Sequence, residues 1–152
     1  MKITSVFMLF ALLIPVLVSC VQNTEPYTTG DAQAFLDADV FDGDMVKVES
    51  FPSTLYGVDR EDVADCVSFR AANTAASYDE VTVLILDDAE AAENVVKALR
   101  EVVESEIENA KAYCPAAVPR LQAAVIDRIG NTVLFAVGNP DALPDAVGSL
   151  HK

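Results

Sequence analysis

The chain has 152 residues, of which 24 are Asp or Glu and only ten Lys or Arg, for a formal net charge of -14. Across the ~8 Å screening length of physiological salt, such a body is repelled by phosphate-rich polymers and anionic lipid headgroups, which disfavours nucleic-acid binding and flat adsorption to a membrane. A hydrophobic content of 52% still supports a folded core, while a single histidine and no tryptophan weaken the cases for histidine chemistry and for a sugar-stacking platform.

At the N-terminus, Met1-Lys2 gives a short positive start and residues 3–18 are nearly all apolar, with Pro15 near their end. That run is too short and wrongly flanked for a stable membrane span and has the layout of a secretory signal. It closes on Leu17-Val18-Ser19-Cys20, which is similar to the lipobox of bacterial lipoproteins. The resemblance implies removal of residues 1–19 and a diacylglyceryl group on Cys20, the lipid-attachment residue. A buried acyl chain contributes about 0.8 kcal/mol per methylene and one chain anchors only marginally, so the two or three chains of a lipoprotein give durable anchoring. The expected location is the extracytoplasmic face of the cell membrane. Residues 20–30 form the lipidated N-terminus and a polar tether, and residues 31–152 a single domain with a net charge that keeps it off the bilayer. A protein or cationic partner is compatible with that charge; a solvated surface that keeps the protein soluble is the favoured reading.

With Cys20 lipidated, Cys66 and Cys114 remain as an even pair in an oxidising compartment, either a disulfide or two separate thiols. The first expected helix runs from Asp31, its N-cap, to Leu36, and breaks in the acidic patch containing Asp37, Asp39, Asp42 and Asp44. These four are the weak metal candidates. Counted from Asp37, an EF-hand would need an oxygen ligand where Phe41 stands, glycine where Asp42 stands and glutamate where Val48 stands, so a solvated turn is expected and no metal or other cofactor is assigned.

Met45-Val46-Lys47-Val48-Glu49 alternates as a short strand would, and Asp59 caps a brief helix through Ala64. Residues 66–70 have period two, with Val67 and Phe69 on one face and Ser68 and Arg70 on the other, and residues 71–79 lead as a hairpin loop into a return strand over 80–86. Asp87 or Asp88 then caps the longest helix. Its apolar stripe takes in Ala92, Val95, Val96, Leu99, Val102, Val103, Ile107, Ala110 and Tyr113, and Pro115 and Pro119 end it. Residues 122–129 and 132–137 read as two strands joined at Gly130-Asn131, followed by a last helix over 142–150. Ala91, Val96 and Leu99 align with Ala142, Val147 and Leu150 at a constant offset of 51, which points to a strand-strand-helix duplication. The expected fold is α+β, an antiparallel sheet of about four strands with helices on one face.

No Ser-His-Asp, Cys-His, HExxH, paired CxxC or glycine-rich phosphate motif occurs, and His151 is next to last, so no catalytic residue is assigned. The order and spacing of Leu55-Tyr56-Gly57-Val58-Asp59, the strand ahead of Asp88, Arg100, Tyr113-Cys114-Pro115 and Gly130-Asn131 resemble a family of small bacterial lipoproteins whose domain has no assigned function. This resemblance covers residues 35–150 and implies a lipobox, a tether and one compact domain, with no ligand residues to carry over. Taken together, the expectation is a membrane-anchored, non-enzymatic binding or accessory module. The alternative is a hydrolase acting on cell-envelope material through clustered carboxylates.

Overall fold

The computed structural model describes residues 25–49, 56 and 58–150. Along the chain run α1 (Asp31–Asp37), β1 (Met45–Lys47), β2 (Val63–Ala71), β3 (Glu80–Leu86), α2 (Ala89–Tyr113), α3 (Val118–Gln122), β4 (Val125–Ile129), β5 (Thr132–Val137) and α4 (Leu143–Ser149), with single 3-10 turns at Arg60–Asp62 and Pro115–Ala117. The five strands form one antiparallel sheet in the order β1-β2-β3-β5-β4, so the fold is α+β as expected, with one strand more than the four anticipated.

Local chemistry sets the boundaries. Asp88 accepts a hydrogen bond from the Ala91 N–H at 2.8 Å and starts α2, which then runs about 37 Å without an internal Gly or Pro. Gly130 adopts φ +62° in the β4–β5 turn, where a side chain would be strained. Pro119 does not simply terminate α2. It occupies the first turn of α3, where its missing N–H costs nothing, and the strand expected from residue 122 therefore begins at Val125.

The helices divide between two faces, which corrects the expectation of one covered face. On one side Ala92, Val95 and Leu99 of α2 pack on Leu84, Leu86, Val133, Phe135 and Val137. On the other, Ala32 and Phe35 of α1 and Leu143 and Ala146 of α4 cover Val81, Val83, Leu134 and Ala136. β3 and β5 are thus buried on both sides, and continuous apolar runs rather than alternation are what such central strands need. The strand-strand-helix order does recur, and β3 and β5 keep the same faces at the offset of 51, whereas β2 falls on α3 at that offset and α2 and α4 lie on opposite faces of the sheet. Tyr113, included in the apolar stripe, is 87% exposed, although Ala110 in the same turn is buried in the core.

Tyr27, in the segment read as tether, is buried against the α1 and α4 face. Its N–H donates to Thr132 Oγ1 at 2.9 Å and its hydroxyl donates to Asp127, so the chain is fixed to the β4–β5 hairpin before α1 begins. Close approach also fixes Gly138: a Cβ there would stand 2.7 Å from the Val40 carbonyl oxygen, which accepts the Asn139 N–H. No described helix is long and apolar enough to cross a membrane.

Candidate functional site

The β2–β3 hairpin brings polar side chains under α2. Register pairs Arg70 with Glu80 and Ser68 with Thr82, and all four belong to the phase of the hairpin that faces α2. Glu80 is only 3% exposed, and its Oε2 lies 2.9 Å from Arg70 Nε. Its Oε1 accepts the Tyr56 hydroxyl and lies 2.9 Å from Thr82 Oγ1, which is in turn 2.7 Å from Ser68 Oγ. Each hydroxyl has one proton, so Thr82 donates to the carboxylate and Ser68 donates to Thr82. A buried carboxylate needs such partners to remain tolerable in a core. Burial nevertheless pushes the Glu80 carboxyl above the usual carboxylate range, against the opposing pull of Arg70, Tyr56 and Thr82. Burial, followed by the charge and hydrogen bond of Glu80, raises the Tyr56 hydroxyl.

Asp79, 2% exposed, makes a second charged joint. Its Oδ1 accepts Arg120 Nη1 at 2.7 Å and its Oδ2 accepts the Asp42 N–H at 3.1 Å, while Arg120 also pairs with the Asp42 carboxylate. One buried carboxylate thereby clips α3 and the segment before β1 to the base of the hairpin.

Between these joints and the middle of α2 lies a cavity of about 230 Å³. Its charged lining is Arg70, Asp79, Glu80 and Glu106. Tyr56, Tyr78 and Phe135 supply aromatic surface, and Val102, Val103 and Leu121 close the apolar side. Tyr56 meets Phe135 edge-to-face, with ring centroids 6.0 Å apart at 73°. Three shallower concavities among the described residues, one beside β1 and β2, one at the start of α2 and one against Asp42 and Asp44, are more open to solvent.

The residues singled out in the sequence fall elsewhere. Cys20 and His151 lie outside the described residues. Cys66 on β2 and Cys114 at the end of α2 are two free, half-buried thiols, and burial, with the Asp65 charge second, raises Cys66. Asp37 accepts from Gln33 Nε2 at 3.2 Å, Asp39 has φ 54°, Asp42 pairs with Arg120, and the Asp44 carbonyl accepts the Ala72 N–H at 2.8 Å. Among the described residues no three His, Cys, Asp or Glu side chains are grouped to hold a metal ion. The charged residues around the cavity, Arg70, Asp79, Glu80, Glu106 and Arg120, are not among the site residues that the sequence singles out. One signal was present: Ser68 and Arg70 share a phase in β2 that the return strand answers with Glu80 and Thr82.

Residues 42–138 match one family model, described as a domain of unknown function, DUF4358. The chain belongs to this family. The matched DUF4358 span holds the five strands, α2, α3 and every charged residue of the cavity, whereas α1 and α4, which cover the opposite face, lie outside it. No curated protein and no solved structure matches the chain.

Proposed function

We propose that this DUF4358 protein is an extracytoplasmic lipoprotein, anchored to the cell membrane through a lipidated Cys20, whose domain is a non-enzymatic binding or accessory module. The anchor is supported by Leu17-Val18-Ser19-Cys20 at the end of an apolar run. The binding role rests on one observation, the cavity beneath α2, where buried, fully partnered charges adjoin apolar and aromatic walls. Preformed concavities with a few fixed polar groups are the usual form of small-molecule sites.

Two experiments test the two halves. Cys20→Ala should move the protein out of the membrane fraction or leave it unprocessed; correct cleavage with undiminished membrane retention would refute the anchor. Native mass spectrometry of the full chain released from its own membrane should show added mass that a cavity-filling Val103→Trp change removes. The bare mass in both proteins would refute the binding role.

The second reading, a hydrolase acting on envelope material, draws on Asp79, Glu80 and Glu106 sharing one cavity and on the raised Glu80 carboxyl. Binding is favoured over it because every carboxylate oxygen of Asp79 and Glu80 already accepts from an arginine, a hydroxyl or a backbone N–H, so neither side chain presents an uncommitted oxygen to a substrate.

A further inference from the structure

The cavity's charges do not cancel. Arg70 is neutralised by Glu80 at 2.9 Å, and Asp79 pairs at 2.7 Å with Arg120, which also holds Asp42 outside the cavity lining. Glu106, half-buried on the inward side of α2, takes part in no ion pair or hydrogen bond among the described residues, so it is the carboxylate left over. It acts on Tyr78, whose hydroxyl is raised by burial first and by the Glu106 charge next. Three aromatic side chains, Tyr56, Tyr78 and Phe135, line the same space. Aromatic faces carry negative potential, and cations held over them are stabilised further when water is excluded. A surplus carboxylate beside several rings therefore selects positive charge, and the net charge of -14 draws cations towards the mouth. The volume, about 230 Å³, falls below the roughly 300–1,000 Å³ of pockets that take drug-sized ligands.

Building on the binding role given above, we propose that this cavity is a site for a small organic ammonium ion, with Glu106 as counter-ion and the rings of Tyr78, Tyr56 and Phe135 as its walls. An inorganic cation is a poor match: the cavity lining offers one carboxylate outside an ion pair or hydrogen bond among the described residues, while the oxygens of Asp79 and Glu80 are committed to arginine, hydroxyl and backbone partners. An anion would meet Glu106 with no unneutralised cation to offset it.

The test uses two probes of nearly equal shape, one cationic and one neutral, and a smaller branched anion. Calorimetric titration of the full-length chain in a nonionic detergent is run with choline, with its neutral carbon analogue 3,3-dimethyl-1-butanol, and with anionic isovalerate. Choline should bind at least about tenfold more tightly than the alcohol, and isovalerate should not bind. Glu106→Gln should weaken choline about tenfold and leave the alcohol unchanged, which a merely structural role for Glu106 would not produce. Tyr78→Leu should weaken choline more than the alcohol. Equal binding of choline and alcohol, or an undiminished choline affinity in Glu106→Gln, overturns the ammonium assignment while leaving the cavity a binding site. Failure of all three probes overturns the assignment and counts against the binding role as well.

Discussion

Replacing Arg70 with Met removes the cation paired with Glu80 while keeping most of the stem that packs beside it. A hydrogen bond to a charged group contributes about 1.5–3 kcal/mol, and stripping the partner from a fully buried ion pair costs about 3–5 kcal/mol. Arg70 itself is one-third exposed, at 34% for the side chain, and Glu80 can relieve its isolation by taking a proton. Both facts place the loss near the low end, about 2 kcal/mol, or a fall in Tm of about 4–8 °C for a chain of this size. The sign with pH follows from the raised Glu80 carboxyl. Between the unfolded value near 4.3 and the higher folded one, the native state holds more protons than the unfolded state, so this group's contribution to stability declines as pH rises through that window. Without Arg70 the folded value climbs further and the window extends upwards. The Arg70→Met deficit, measured by urea unfolding, should therefore be small at about pH 5 and largest at about pH 8. In a Glu80→Gln background the same change should cost well under about 1 kcal/mol, since no charge is left to strand. A deficit equal at both pH values and undiminished in the Gln background would refute the assignment of Glu80 as a buried, arginine-dependent carboxylate.

Leu99→Ala should cost about 2–5 kcal/mol in urea unfolding, because Leu99 is fully buried between α2 and the sheet; a loss under about 1 kcal/mol would mean that α2 is not packed there. Gly138→Ala places a methyl 2.7 Å from the Val40 carbonyl oxygen and should destabilise by about 1–3 kcal/mol, whereas Gly148→Ala, which meets nothing within 4 Å, should not destabilise. Gly130→Ala should cost about 1 kcal/mol through its φ of +62° alone. In the unfolded Cys20→Ala chain two thiols should react with a disulfide reagent, and in the folded chain Cys66 should react slowly, because burial raises it; a count of zero would reveal a bridge between Cys66 and Cys114.

The elements that could be read from the sequence are those whose signals are local. Asp88 as a cap, the three-and-four spacing of α2, the alternation of β2 and the Gly130-Asn131 turn all operate within a few residues. The features that escaped depend on what stands opposite in space. Residues 81–86 form an almost unbroken apolar run, the pattern of a strand covered on both faces, but alternation in β2 argued for only one covered face. Pro119 carries the same chemistry whether it ends one helix or begins the next, and α3 was lost to that ambiguity. The polar face of the β2–β3 hairpin read as solvent-facing, since nothing in a strand's own sequence says that a helix arriving some twenty residues later will lie across it. Glu106 stands among Glu101, Glu104 and Glu108 in the sequence, and only the turn of α2 separates it from those exposed neighbours.

The fastening at Tyr27 has a mechanical consequence. A pull on the chain ahead of the domain is delivered through Tyr27 to Thr132 and Asp127, that is, to the β4–β5 hairpin on the face that α1 and α4 cover. The cavity opens on the reverse side, between β2, β3 and α2. Load and binding are thus carried by different layers of one sheet. Tension on the chain ahead of Tyr27 would load these contacts, leaving the paired charges around Glu80 outside the line of force.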